Sequence, residues 1–499
     1  MISKFAVAVA LAVVLGLPFL FRPERAAIPP GAETLVVITP HHEQIRAEFE
    51  RAFSAWHEAN HGSPVVIDWR QPGGTSEIRK QLRAQYAAAV ETGRIAPDGA
   101  CPPGTMSYDL LFGGGSYEHG QMKAGVTVTV DGERATVPIS APAGFSEAEM
   151  REWFPIGELG GEPLYDPEQH WIGVAVSSFG IVYNTDALET IGVDAPTSWD
   201  DLRDPAYQGW LAMADPRASG SVATAFQKIL DGYGWEKGWA TLRDLSANAR
   251  YFSGSSRRPP LDVSAGEAAA GVAIDFYGRS QSDAILAPGQ RPEDSRVQYV
   301  DPKGAVFFDP DPITLLRGAP NPELARRFIA FLISSEGQAV WQLPARGEAP
   351  GLGPLENELR RLPIRRVMYD EHFADFIDKV NPYEIAEPLP SRGWRSMIGP
   401  MMGAFGIDNH HEIEEAWRAL HAVRASGNDA LAAELEGLFY AMPTHVMPDG
   451  TELEFNEANY STIRNEWRNA ETAARAKIRY TMFFRRNYAE VVRRAGEVL

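Results

Sequence analysis

Apolar residues in the first third of the chain alternate between short continuous runs and longer stretches with helical spacing. Residues 35–38 (Leu-Val-Val-Ile) form a β-type run, followed by Thr39-Pro40-His41-His42 and then by Ile45, Phe49, Phe53 and Trp56. That spacing puts the second set on one helical face. Residues 65–69 begin a second unit, in which Gly73-Gly74-Thr75-Ser76-Glu77 leads into a helix carrying Ile78, Leu82 and Tyr86. Thr75 or Ser76 can cap its free N–H groups. A third short run, residues 109–112, ends in Gly113-Gly114-Gly115-Ser116-Tyr117. Repeated strand, loop and helix predict an α/β fold with a mainly parallel sheet and helices on its faces.

Residues 171–184 are nearly all apolar, broken by glycines, and predict a strand covered on both sides. Helices are expected near 222–230 and 234–245, and buried strands at 271–276 and 297–300, with a run at 304–308 just before Asp309-Pro310-Asp311-Pro312. Together these predict a second lobe. Leu324, Phe328, Phe331 and Leu332 mark a helix returning to the first, so the lobes are expected to be discontinuous in sequence. Asp131-Gly132 predicts the turn of a small β ribbon over 126–137. The Gly- and Pro-rich stretch 93–105, which holds Cys101, reads as an exposed insertion. Beyond about residue 355, Trp417, Leu420, Leu431, Leu435, Leu438 and Phe439 sit in charged helical segments and predict a further helical region.

A length of 499 residues is too great for one ordinary domain. A net charge of −19 argues against nucleic acid as a partner, since phosphate backbones need a dense field of Lys and Arg. It leaves room for a small anion held locally. The single cysteine offers neither an internal disulfide nor a thiolate cluster for metal. Lys4 precedes an uncharged run over 5–21, after which Arg22, Glu24 and Arg25 restore charge. Residues 1–28 therefore read as an export signal, or as an uncleaved membrane anchor, because Arg25 spoils the small-residue pattern before Ala26-Ala27.

Several separated segments resemble bacterial periplasmic solute-binding proteins of the ferric-ion-binding class. They are Thr39-Pro40-His41-His42-Glu43, Gly73-Gly74-Thr75-Ser76-Glu77-Ile78, Phe112-Gly113-Gly114-Gly115, residues 173–184, Asp215-Pro216-Arg217-Ala218-Ser219-Gly220-Ser221 and residues 307–316. The resemblance runs from about 35 to 342. It implies a two-lobed Venus-flytrap fold of α/β class, with 33–137 and 306–354 as one lobe, 177–300 as the other, and 355–499 as an additional C-terminal helical extension. It also implies a membrane permease and an ATPase as partners, and an extracytoplasmic location. The ligand is left open, because the wider class binds ferric ion, polyamines, opines, phosphonates or sugar phosphates. The ferric pattern uses adjacent tyrosines where this chain has Phe276-Tyr277, so one phenolate is missing.

The candidate site residues follow from chemistry as well as from the resemblance. Glycines at Gly74 and Gly220 let backbone approach a ligand, Thr75, Ser76, Ser219 and Ser221 supply hydroxyls at helix starts that favour an anion, and Gly114 and Gly115 with Ser116 offer a flat wall against it. The same hydroxyls also serve as plain helix caps. His41 and His42 stand at a strand end and suit ligand contact, metal, or a structural hydrogen bond. Asp275 ends an apolar strand, where a carboxylate needs a cationic ligand group or an arginine, and Tyr277 lies beside it. Arg217 and Arg279 are possible added charges. An alternative metal set is His42, Glu118, Asp275 and Tyr277. No spacing links a nucleophile, base and orienter, and no cofactor motif is present, so a binding protein is expected rather than an enzyme. The leading expectation is a receptor for a small polar anion such as a phosphonate or sugar phosphate, with a ferric receptor or a membrane-tethered sensory or scaffold protein as alternatives.

Overall fold

The computed structural model describes residues 31–287, 290–291, 294–302, 307–389 and 391–498. The export or anchor segment, 1–28, lies outside the described residues, as does most of the run at 304–308. No helix among the described residues is long and apolar enough to cross a membrane.

The three predicted units build the first lobe. Strand β1 (Glu33–Ile38) pairs in parallel with β2 (Val65–Arg70) and β3 (Leu110–Phe112). Helix α1 (Glu43–His61) buries Ile45, Phe49 and Phe53, four residues apart, and stops where Gly62 takes a φ of 69°. Helix α2 (Thr75–Glu91) buries Ile78, Leu82 and Tyr86, and α3 (Ser116–Ala124) follows β3. Side chains alternate across a strand. Val37 and Phe112 therefore pack in the α1 core, while Ile38 and Leu111 pack in the α2 core. The 93–105 stretch is less free than expected: Ile95 is fully buried, and Arg317 Nη1 donates to the Gly99 carbonyl at 2.8 Å.

Strand β4 (Ile172–Asn184) joins the lobes, and Tyr183 is its only residue not buried. The second lobe contributes β5 (Leu211–Ala214), β6 (Ala249–Ser253), β7 (Ala270–Ile274) and β8 (Val297–Val300). The chain returns through β9 (Phe308–Leu315) and the short β10 (Leu362–Pro363). Along β4 the partners change. Residues 172–178 pair with β9 in the first lobe, and 179–183 pair with β7 in the second. The sheet order is β6-β5-β7-β4-β9-β3-β1-β2, with β8 and β10 also on β4. Gly180 has a steric cause: a Cβ there would lie 2.3 Å from the Val300 carbonyl oxygen.

In the second lobe, α4 (Gly220–Tyr233) and α5 (Trp235–Asn248) pack on the sheet, and α6 (Asp275–Ala284) follows β7. Helices α7 (Pro322–Ile333) and α8 (Ser335–Gln342) bring Phe328, Phe331 and Trp341 into the α1 core. The stretch expected as one helical extension from 355 is divided. Leu359, Leu362 and Ile364 join the first-lobe core, and the Leu362/Ile364 alternation is that of a strand edge rather than a helix. After short helices at Val367–Glu371 and Pro382–Ile385, the longer ones are α9 (Arg395–Met402), α10 (His410–Ala425), α11 (Asp429–Tyr440) and α12 (Ala470–Gly496). Trp417, Leu420, Leu435, Phe439, Phe484 and Tyr488 share one core with Trp199, Trp239 and Leu245 of the second lobe. Arg243 of α5 is buried in that joint core, donating to the Phe439 carbonyl with its guanidinium 4.9 Å from the Phe484 ring.

Candidate functional site

Between the lobes lies a cavity of about 330 Å³. Its first-lobe wall is the β1–α1 turn at His41, the β2–α2 loop at Gly73, Gly74 and Thr75, and Gly114 after β3. The second-lobe wall is Ser219, Gly220 and Ser221 at the start of α4, the 254–257 loop, and Phe276 and Tyr277 of α6. The lobes approach closely here. A Cβ on Gly74 would stand 3.1 Å from the Ala218 carbonyl oxygen. Away from the cavity, Lys228 Nζ of α4 donates to Glu162 Oε1 of the first lobe at 2.6 Å.

Two helices thus begin at the same cavity from opposite lobes. Gly74 is the N-cap of α2, and its N–H donates to Glu77 Oε2 at 2.9 Å. Ser219 is the N-cap of α4, accepting from Val222 N–H at 3.4 Å. Capping and ligand approach coexist, because the cap uses one group and the other N–H groups of the first turn stay free. Among the described residues, the hydroxyls of Thr75, Ser221 and Ser256 have no hydrogen-bond partner, and Arg257 on the rim has no carboxylate partner. Helix starts carry partial positive charge. This end of the cavity is therefore rich in donors and electropositive.

The floor is a buried ionic network supplied by β9, β4 and the returning segment. Asp309 and Asp311 are two residues apart on β9 and point to one face. Arg361 Nη1 donates to Asp311 Oδ2, and its Nη2 donates to Ser177 Oγ at 2.9 Å. His41 Nε2 lies 2.8 Å from the same Asp311 oxygen, and Gly114 N–H donates to Asp311 Oδ1 at 2.8 Å. The Arg361 guanidinium is also 4.7 Å from the Phe276 ring and 5.4 Å from that of Trp341. Burial alone would raise the Asp311 carboxyl, but the Arg361 charge and His41 outweigh it and hold it at about 2. Burial lowers His41. With Asp311 ionised opposite Arg361, the pair adds little net charge to the floor.

Asp309 differs. Ser116 Oγ donates to its Oδ1 at 2.7 Å and Ser116 N–H at 3.3 Å, but burial, reinforced by Glu162, pushes it up to about 7. Because its folded value exceeds the ordinary one, its stabilising contribution is fully present below about pH 4 and lost as pH rises through 7. Asp309→Asn is expected to raise the melting temperature relative to the wild type by an amount that grows from pH 4 to 7 and is constant above. Parallel thermal melts at stepped pH check this, and an Asn benefit already complete at pH 4 would contradict it.

Of the residues expected from sequence, His41, Gly74, Thr75, Gly114, Ser219, Gly220, Ser221 and Tyr277 line the cavity together. The others stand elsewhere. His42 opens on a smaller recess beside Phe276 and Tyr277. Ser76 faces a second cavity behind the helix start. Gly115 caps α3, and Ser116 is spent on Asp309. Asp275 turns to Arg279 Nη1, which donates to its Oδ2 at 3.1 Å, and burial pushes its carboxyl up to about 6. Arg217 is likewise held, by Asp215 and Asp408. The alternative metal set does not assemble: Glu118 pairs with Arg395 and Asp275 with Arg279. Among the described residues, no cluster of three or more His, Cys, Asp or Glu is placed to hold an ion.

Sequence reasoning missed Asp309, Asp311, Ser177, Arg257 and Arg361. The Asp-Pro-Asp-Pro run carried a signal for the first two, since two carboxylates at strand spacing in an otherwise apolar segment require a buried cation. Arg361 carried none, as it follows Arg360 in a charged stretch.

Residues 155–360 match the family described as bacterial extracellular solute-binding protein. The chain is 31% identical over 273 residues to the phosphoglycerate transport regulatory protein PgtC of Salmonella typhimurium, covering 54% of this chain and 62% of that protein. It therefore spans less than two thirds of that relative's length. Among solved structures, it is similar to the periplasmic binding protein AfuA of Actinobacillus pleuropneumoniae with fructose-6-phosphate bound, at 17% identity, 62% of this chain, 82% of that one and a TM-score of 0.47. It is also similar to the ferric binding protein of Campylobacter jejuni, at 15% identity, 77% and 99% coverage and a TM-score of 0.47.

Proposed function

From the match of residues 155–360 to the bacterial extracellular solute-binding family, we propose that the chain is a receptor of that kind and captures a small phosphate- or phosphonate-bearing anion between its lobes. The observation that carries this reading is the convergence of the α2 and α4 starts, from different lobes, on one cavity with the unpaired Arg257 at its rim. A doubly charged anion reaching both helix starts draws the lobes together, so closure and binding are one event. The phosphoglycerate in the name of the Salmonella relative supports a phosphorylated solute. Presentation of the closed form to a permease and ATPase in the periplasm is part of the same proposal. Ferric ion is a weaker reading, because Tyr277 has Phe276 beside it and Asp275 is committed to Arg279.

Thermal-shift and calorimetric titration with phosphate esters, phosphonates, plain carboxylates and ferric ion test the proposal. Phosphate esters or phosphonates are expected to raise the melting temperature and to bind more tightly than carboxylates. Tight ferric binding with no anion response would overturn it. Arg257→Ala is expected to weaken the best anion about tenfold, by loss of one charge-assisted hydrogen bond. Because Arg257 is exposed, that penalty should shrink in high salt.

A further inference from the structure

Behind the α2 start lies a separate cavity of about 440 Å³, on the side that Ser76 faces. The first lobe lines it with Arg79 and Lys80 of α2 and Glu118 of α3. Arg217 of the second lobe, Arg395 of α9, Asp408 and Lys477 of α12 complete the charged lining. Both carboxylates are already engaged: Glu118 Oε1 by Arg395 at 3.3 Å, and Asp408 by Arg217 at 2.8 Å. Arg79, Lys80 and Lys477 form no ion pair among the described residues.

The decisive group is Arg395, which is only 7% exposed. Its Nη2 donates to Glu118 and, at 2.8 Å, to the Gly220 carbonyl, but its Nε and Nη1 have no hydrogen-bond partner. Arg79 Nε is also unpaired. Guanidinium N–H groups kept from water and unused are costly, and a planar fork of donors in a cationic cavity suits phosphate oxygens. Glu118 Oε2 is a buried acceptor without a donor. A bare anion would be repelled by it, whereas an anion carrying a proton satisfies it by donating that O–H.

We propose that this cavity is a second anion site, distinct from the cleft, that takes hydrogen phosphate or a monoester in its protonated form and discriminates against sulfate. Because the first lobe, the second lobe and the C-terminal helices each supply part of the lining, occupancy favours the closed arrangement and couples the two sites.

The test is calorimetric titration of the full chain with inorganic phosphate and, separately, sulfate, at pH 7 and low ionic strength. The wild type is expected to bind phosphate, at least about tenfold more tightly than sulfate, at a site lost in an Arg79→Gln, Lys80→Ala, Lys477→Ala variant whose melting temperature is unchanged. Glu118→Gln is expected to narrow the phosphate-to-sulfate ratio. Arg257→Ala separates this site from the cleft. Phosphate binding lost in the triple variant and unchanged in Arg257→Ala supports the second site and counts against the cleft reading, and two binding events, one lost in the triple variant and the other weakened in Arg257→Ala, support both. Binding weakened only in Arg257→Ala, binding indifferent to the triple variant, or no binding at all would each overturn the second site.

Discussion

Arg361→Ala is expected to lower the unfolding free energy by about 3–5 kcal/mol, the usual loss when one partner of a buried ion pair is removed. Asp311 would remain in the floor with its charge uncompensated, and the ring contacts of the guanidinium with Phe276 and Trp341 would go too. Denaturant unfolding measures the loss. Adding Asp311→Asn is expected to recover part of it, because the two residues form one network and their effects are not additive. Simple addition of the two single effects would show that they act independently. The pH dependence provides a second check. In the wild type, the folded carboxyl sits at about 2, below its ordinary value, so its contribution is present above about pH 4 and lost as pH falls through 2. The deficit of the variant should therefore narrow in acid.

The second large effect concerns closure. Gly74→Phe is expected to reduce affinity for the best anion at least about 100-fold, or about 2.7 kcal/mol. The backbone at Gly74 has a φ of −73°, which any residue adopts, so the substitution does not strain the chain itself. Besides the flexible Glu77 carboxylate of its own helix, at 3.1 Å, it meets the opposite lobe, since even a Cβ would stand 3.1 Å from the Ala218 carbonyl oxygen. An aromatic ring there holds the lobes apart and leaves each folded. Titration should show the lost affinity, an unchanged melting temperature without ligand should show the intact fold, and small-angle scattering should show no compaction when anion is added. Undiminished binding by Gly74→Phe would mean that ligand capture does not need the two helix starts to meet.

The α/β architecture was legible because its signals are local. Periodicity at Ile45, Phe49 and Phe53, and the unbroken apolar run that became β4, report directly on which faces are buried. Helix starts at Thr75 and Ser219 were legible for the same reason. The floor of the cleft was not, because Arg361 meets Asp311 across 50 residues and His41 meets Asp311 across 270. No periodicity encodes such a meeting. Asp275 shows the complementary error: a carboxylate ending a buried strand does demand a cation, but the nearest one, Arg279, is supplied four residues on by its own helix. The division of residues 355–498 between lobes was hidden for a further reason. Whether an amphipathic segment packs on one lobe or the other depends on which apolar faces the rest of the chain leaves uncovered.

That division makes the two ends of the fold informative about each other. Helix α12 shares its core with the second lobe, while α1 belongs to the first. Fluorophores on their exposed faces, at Glu58 and Ile478, would ride on different bodies, so energy transfer between them turns the chain into an optical gauge of its own movement without a dye near the cleft.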